Sequence, residues 1–109
     1  MDMTIVDINS HSLVSSEKYI YDCDLIVDAI LGSGSKNRKG SIENKIISIL
    51  SKCEKSIVSL DLPSGVDAST GESENSHFIS SLTISFGVLK RAHVLLPASE
   101  LSKEIINHL

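Results

Sequence analysis

The sequence predicts an α/β domain built on a mainly parallel sheet, and three observations carry that expectation. Short apolar runs rich in β-branched residues alternate with segments whose apolar positions recur at helical spacing. The apolar runs are continuous, as expected of strands covered on both faces. Nothing between them reads as a hairpin turn, so neighbouring strands should be joined by crossovers.

Taken in order, Thr4-Ile5-Val6-Asp7-Ile8 is a candidate strand, followed by the polar turn Asn9 to Ser12. Ser15 to Cys23 is expected as a short helix with Ser15 or Ser16 as N-cap. Leu25 to Leu31 reads as a strand buried on both faces. Gly32 to Gly40 is a loop containing glycine and lysine. Ser41 should then cap a helix with Glu43 in its first turn, where the macrodipole favours a carboxylate. Ile42, Ile46, Ile47, Leu50 and Cys53 share one face of that helix. Ser56 to Leu60 is a second buried strand ending at Asp61, and a polar loop runs on to about Phe78. Leu82 to Phe86 is a third strand and Val94 to Leu96 a candidate fourth. Ser99 is expected to cap a last helix with Leu101, Ile105, Ile106 and Leu109 on one stripe.

The totals bound the function. A chain of 109 residues is one modest domain, and its formal charge of -4 argues against a nucleic-acid partner. With 41% hydrophobic and 22% charged residues the composition is that of a globular protein rather than a disordered one. No apolar run approaches the roughly 20 residues that span a bilayer, so no membrane partner is expected. The acidic start Met1-Asp2-Met3 is unlike a secretory signal, and Cys23 and Cys53 lack metal-ligand spacing. Reduced thiols in a cytoplasmic protein is the expectation. His11, His77, His93 and His108 show no ligand spacing either, and no G-x-S-x-G elbow is present.

In an open parallel sheet, ligands bind beyond the carboxyl ends of the strands. Asp28 and Asp61 close two such strands, and in neighbouring strands their carboxylates would approach at one rim. Aspartates at strand ends also serve simply to cap turns. The loop Gly32-Ser33-Gly34-Ser35-Lys36-Asn37-Arg38-Lys39-Gly40 offers backbone N–H groups, a helix N-terminus and three cations to a nucleotide phosphate. A solvated connector with incidental lysines fits the same residues. In Asp61-Leu62-Pro63-Ser64-Gly65-Val66-Asp67, Pro63 and Gly65 allow a sharp turn that would hold the Ser64 oxygens near Asp61. Such a cluster of oxygens can take a hard cation or orient a ribose or nicotinamide group, or can make only local turn bonds.

Three segments resemble signatures of the NAD(P)H-hydrate epimerase family, the YjeF N-terminal domain. Asp24 to Gly34 is similar to D-x-[IV]-[IV]-D-A-x-x-G-x-G, and Asp61 to Gly71 to D-[IL]-P-S-G-x-x-x-x-x-G. Thr83 to Lys90 resembles T-x-x-F-G-x-P-K. They occur in the family's order and spacing, over roughly residues 24–97. The resemblance implies a Rossmann-like three-layer α/β/α fold, often dimeric, and epimerisation at C6 of hydrated NADH and NADPH (NADHX and NADPHX). It implies potassium as cofactor, with Asp28 and Ser64 as ligands. Gly32, Ser33, Gly34, Ser35, Lys36, Asn37 and Arg38 would contact the dinucleotide. Asp61 would bind substrate and act as acid/base, a role suited to a carboxylate that accepts and returns a proton.

The sequence also departs from the family pattern. No match to its upstream G-x-G-N-N-G-G-D-G loop occurs, and Leu89 stands in place of proline before Lys90. Residues 1–109 therefore read as a partial domain of this type, truncated on the N-terminal side. A homodimer partner, or a complementing chain carrying the missing half, is the partner expected. The alternative is a nucleotide-binding module or complementing subunit without catalysis of its own. A hydrophobic sheet edge should be left exposed.

Overall fold

A computed structural model describes residues 3–32, 38–64, 77–87 and 101–108. Its elements in chain order are α1 (Leu13–Asp22), β1 (Leu25–Asp28), α2 (Ile42–Lys52), β2 (Ser56–Leu60), β3 (Leu82–Phe86) and β4 (Ile105–His108). The four strands form one sheet in the order β1-β2-β3-β4, every neighbouring pair parallel. The chain has the Rossmann-like α/β fold. Among the described residues no helix is long and apolar enough to cross a membrane.

Helix α2 forms where the sequence places it. The Ser41 hydroxyl accepts a hydrogen bond from the Asn44 amide at 3.1 Å, Glu43 lies in the first turn, and Lys52 in the last. Its Ile47 and Leu50 are buried against Ile57 and Phe78, with Ile46 and Cys53 packed alongside. Helix α1 adds Ile20 to the same cluster, and β1 adds Ile26. Both helices therefore cover one face of the sheet.

Helix α1 begins earlier than expected. The Asn9 side-chain oxygen accepts from the amides of His11 and Ser12, which turns the chain into a helix whose N-cap position is Ser12. The expected caps instead lie within the first turns. The Ser15 and Ser16 hydroxyls donate back to the Ser12 carbonyl at 2.9 and 2.8 Å, a bond that helix-interior serines commonly make.

Three other expectations are corrected. Thr4 to Ile8 is not a strand; its β-branched residues find no neighbouring strand among the described residues, and Ile5 is 88% exposed. Strand β1 ends at Asp28, and it is not buried on both faces, because Leu25 and Val27 are exposed. Ile105 to His108 is strand β4, not part of a helix. A stripe at i and i+4 fits a helix, but two consecutive isoleucines fit a strand equally, and the open side of β3 supplies the pairing. The Thr83 amide donates to the Glu104 carbonyl and the Gly87 amide to the His108 carbonyl. The candidate strand Val94 to Leu96 lies outside the described residues.

Candidate functional site

The register decides which strand-end residues meet. Asp28 pairs with Ser59 across β1 and β2, and both side chains point to the helix-covered face. The Asp28 carboxylate is 1% exposed, yet no cation approaches it among the described residues. Its oxygens are satisfied by four neutral donors instead. Oδ1 accepts from the Ser64 hydroxyl at 2.5 Å and the Ile30 amide at 3.3 Å. Oδ2 accepts from the Ser59 hydroxyl at 2.8 Å and the Ser64 amide at 2.9 Å. A buried carboxylate without such partners would cost several kcal/mol, so this cage is what permits the burial.

Ser64 is the hub. Besides its two bonds to Asp28, its hydroxyl oxygen accepts from the Leu31 amide at 2.9 Å and lies 3.4 Å from the Leu31 carbonyl. It thereby ties the loop after β2 to the loop after β1. Pro63 and Leu62 are buried beside it, so the turn is anchored by packing as well as by hydrogen bonds.

Asp61 adopts φ 71°, the only non-glycine residue with positive φ among the described residues. The Leu62 amide donates to the Leu60 carbonyl at 3.0 Å, closing a γ-turn around Asp61, while the Asp61 amide donates to the Ile84 carbonyl at 2.7 Å. This turn conformation is strained, at a cost of about 1–3 kcal/mol, and such strain gathers at functional sites. It lifts the Asp61 side chain toward β1's loop: a Cβ on Gly32 would stand 3.5 Å from Asp61 Oδ2.

Asp28, Gly32, Asp61 and Ser64 thus converge at the carboxyl ends of two adjacent parallel strands. Arg38 lies exposed on the loop that enters α2, its carbonyl accepting from the Ser41 amide. Ser33, Gly34, Ser35, Lys36 and Asn37 lie outside the described residues. The sequence places the Ser64 oxygens against Asp61, whereas in the structure its amide and hydroxyl donate to Asp28. Ser59, which no motif singles out, is fully buried and joined to Ser80 by a short hydroxyl–hydroxyl bond. The signal was present in Ser-Ile-Val-Ser-Leu, where a polar residue shares a face with the core residue Ile57.

The donor set suits one class of metal only. No group of three or more His, Cys, Asp or Glu side chains is placed to hold a metal among the described residues. The Ser64 hydroxyl lies within hydrogen-bonding reach of both the Asp28 carboxylate and the Leu31 carbonyl. That all-oxygen chemistry fits a hard cation such as potassium rather than a transition metal.

The family model described as YjeF-related protein N-terminus matches residues 2–92. The chain belongs to that family. Among its relatives is an NAD(P)H-hydrate epimerase of Leuconostoc mesenteroides, 36% identical over 84 residues, which make up 76% of this chain and 38% of that one. The epimerase of Leuconostoc citreum is 34% identical over the same length. A bifunctional NAD(P)H-hydrate repair enzyme of Thermofilum pendens is 27% identical over 104 residues, 95% of this chain and 20% of its own. The chain therefore spans well under half the length of the relatives it matches.

Proposed function

We propose that this chain carries part of the site of an NAD(P)H-hydrate epimerase, acting on NADHX and NADPHX in cytoplasmic cofactor repair. The observation that carries the reading is the convergence of a strained Asp61 with the caged Asp28–Ser64 pair at the rim of β1 and β2. Asp61 accepts a proton from the substrate and returns one as the C6 hydroxyl changes face. Gly32 and the segment from Ser33 to Arg38 bind the dinucleotide, whose phosphates the positive charges of Lys36 and Arg38 attract. Asp28 and Ser64 would hold potassium, which when bound would supply positive charge to the site. Ser59 and the Ile30 amide keep the Asp28 carboxylate turned toward Ser64.

A second reading is a complementing subunit without turnover of its own. It is favoured by the 38% coverage of the Leuconostoc mesenteroides relative, which leaves most of that protein without a counterpart here. A homodimer partner or a separate chain would then supply what this one lacks.

The test follows conversion of the R to the S epimer of NADHX in potassium buffer by chromatography. Acceleration above the spontaneous rate is expected, with Asp61→Asn slowing it by about 100-fold or more while the fold is kept. Unchanged turnover in Asp61→Asn would remove the acid/base role. A folded chain with no activity of its own would select the subunit reading.

A further inference from the structure

The amino-terminal ends of β2 and β3 carry a cleft that the candidate site does not use. Helix α2 ends at Lys52, and the Cys53 amide closes it by donating to the Ile49 and Leu50 carbonyls. The chain then enters β2 through Glu54 and Lys55. Phe78 and Ile79 lead toward β3, and the Ser81 amide ties that approach to the Ile57 carbonyl at 2.8 Å. Between these segments lies a cleft of about 340 Å³, at the small end of the roughly 300–1,000 Å³ range of pockets that take small molecules. Its base is the end of the core, where Leu50, Ile57 and Phe78 are buried. Ile79, 55% exposed, extends that apolar surface to the mouth. Ser51, Cys53, Lys55 and His77 supply the polar groups. The candidate site lies beyond the other end of β2, a five-residue strand roughly 16 Å long, so the two are separate.

The lining decides the ligand chemistry. It holds a lysine and a histidine and no carboxylate, in a chain of net charge -4. The carbonyls at the end of α2, which would otherwise favour a cation, are engaged. That of Ser48 accepts from the Ser51 hydroxyl at 2.6 Å, and that of Leu50 from the Cys53 amide and thiol at 3.3 and 3.2 Å. The amides of Cys53 and Ser81 are used in turn, so neither is left to cradle a phosphate. We propose that this cleft is a binding site for a small monocarboxylate with an apolar body, such as a medium-chain acid. The apolar body rests on Leu50, Ile57 and Phe78, and Lys55 and His77 are the groups that receive the carboxylate. Most of the affinity comes from apolar burial, because an ion pair open to solvent contributes little. The cations select the headgroup. The proposal is independent of the epimerase reading, since the cleft shares no residue with the rim of β1 and β2.

The experiment titrates the full chain with octanoate and, in parallel, with octanol, following backbone amide shifts by NMR. In a Cys23→Ser background, mass spectrometry also measures how fast iodoacetamide alkylates Cys53, which is half-buried in the cleft. Expected is an octanoate Kd of about 0.1–1 mM, the range open to so small a ligand. Shift changes should gather at residues 50–57 and 77–79, and Cys53 alkylation should slow several-fold. Octanol should bind about threefold more weakly, for want of a charge. Lys55→Glu should weaken octanoate by about fivefold and leave octanol unchanged, whereas Ile79→Asp should weaken both. Both side chains reach solvent, so the variants should keep the fold, which circular dichroism checks. Equal affinity for octanoate and octanol overturns the carboxylate class, as does a Lys55→Glu chain that binds octanoate as before. Shifts confined to the exposed side of the sheet around Val27 and Phe86, with Cys53 alkylated at its original rate, overturn the site itself.

Discussion

The two faces of the sheet carry opposite chemistry to their burial. The helix-covered face holds Asp28, Ser59, Thr83 and Ser85, all essentially inaccessible, while the uncovered face presents valine, isoleucine and phenylalanine. The difference teaches that hydrophobicity alone does not say which side of a parallel strand is inside. On the covered face the hydroxyls partner one another and the carboxylate: Ser59 bonds Asp28 and Ser80, and Thr83 bonds Ser102 at 2.6 Å. Among the described residues only the Ser85 hydroxyl is buried without a partner. The polar row is tolerated because nearly every member is satisfied, whereas no helix among the described residues covers the apolar face.

The largest effect expected of this contrast comes from Asp28→Ala. It strands two hydroxyls and two amides in the interior and should cost about 3 kcal/mol in urea denaturation. A loss below about 1 kcal/mol would show that water reaches the cage.

Next comes the strained turn. Asp61→Gly and Asp61→Ala both delete the carboxylate, but only glycine accepts φ 71° freely. The glycine variant should be more stable than the alanine variant by about 1 kcal/mol in the same assay. Equal stabilities would mean that the backbone relaxes once the side chain is gone.

Ser59→Ala sharpens the comparison further. It removes one of the two donors to Asp28 Oδ2 and leaves Ser80 without that hydroxyl, for an expected loss of about 1–2 kcal/mol. Because Asp28 keeps its bonds to Ser64, this should stay clearly below the cost of Asp28→Ala.

The smallest effect belongs to the other face. Val27→Ser, a change from apolar to polar, should alter the stability of the isolated chain by no more than about 0.5 kcal/mol. A loss as large as that of Ser59→Ala would mean that Val27 is covered in solution, and the contrast between faces would fail.

The sequence by itself determined the features that are local. Helix α2, its Ser41 cap and the carboxylates at the strand ends were all legible, because caps and hydrophobic period act within a few residues. The family signatures were legible for the same reason. Tertiary structure decided what depends on a neighbour. Thr4 to Ile8 and Ile105 to His108 are both β-branched-rich, yet only the second is a strand, because β3 offers it a backbone ladder. Ser59 reaches Asp28 only through register, and Ser64 turns to Asp28 rather than Asp61 because the loop after β2 folds back against Leu31. Strand pairing and the closure of loops join residues far apart in the chain, as in the 36-residue separation of Ser64 from Asp28. No short-range pattern encodes such contacts; they follow from which backbone edge and which buried oxygen remain to be satisfied.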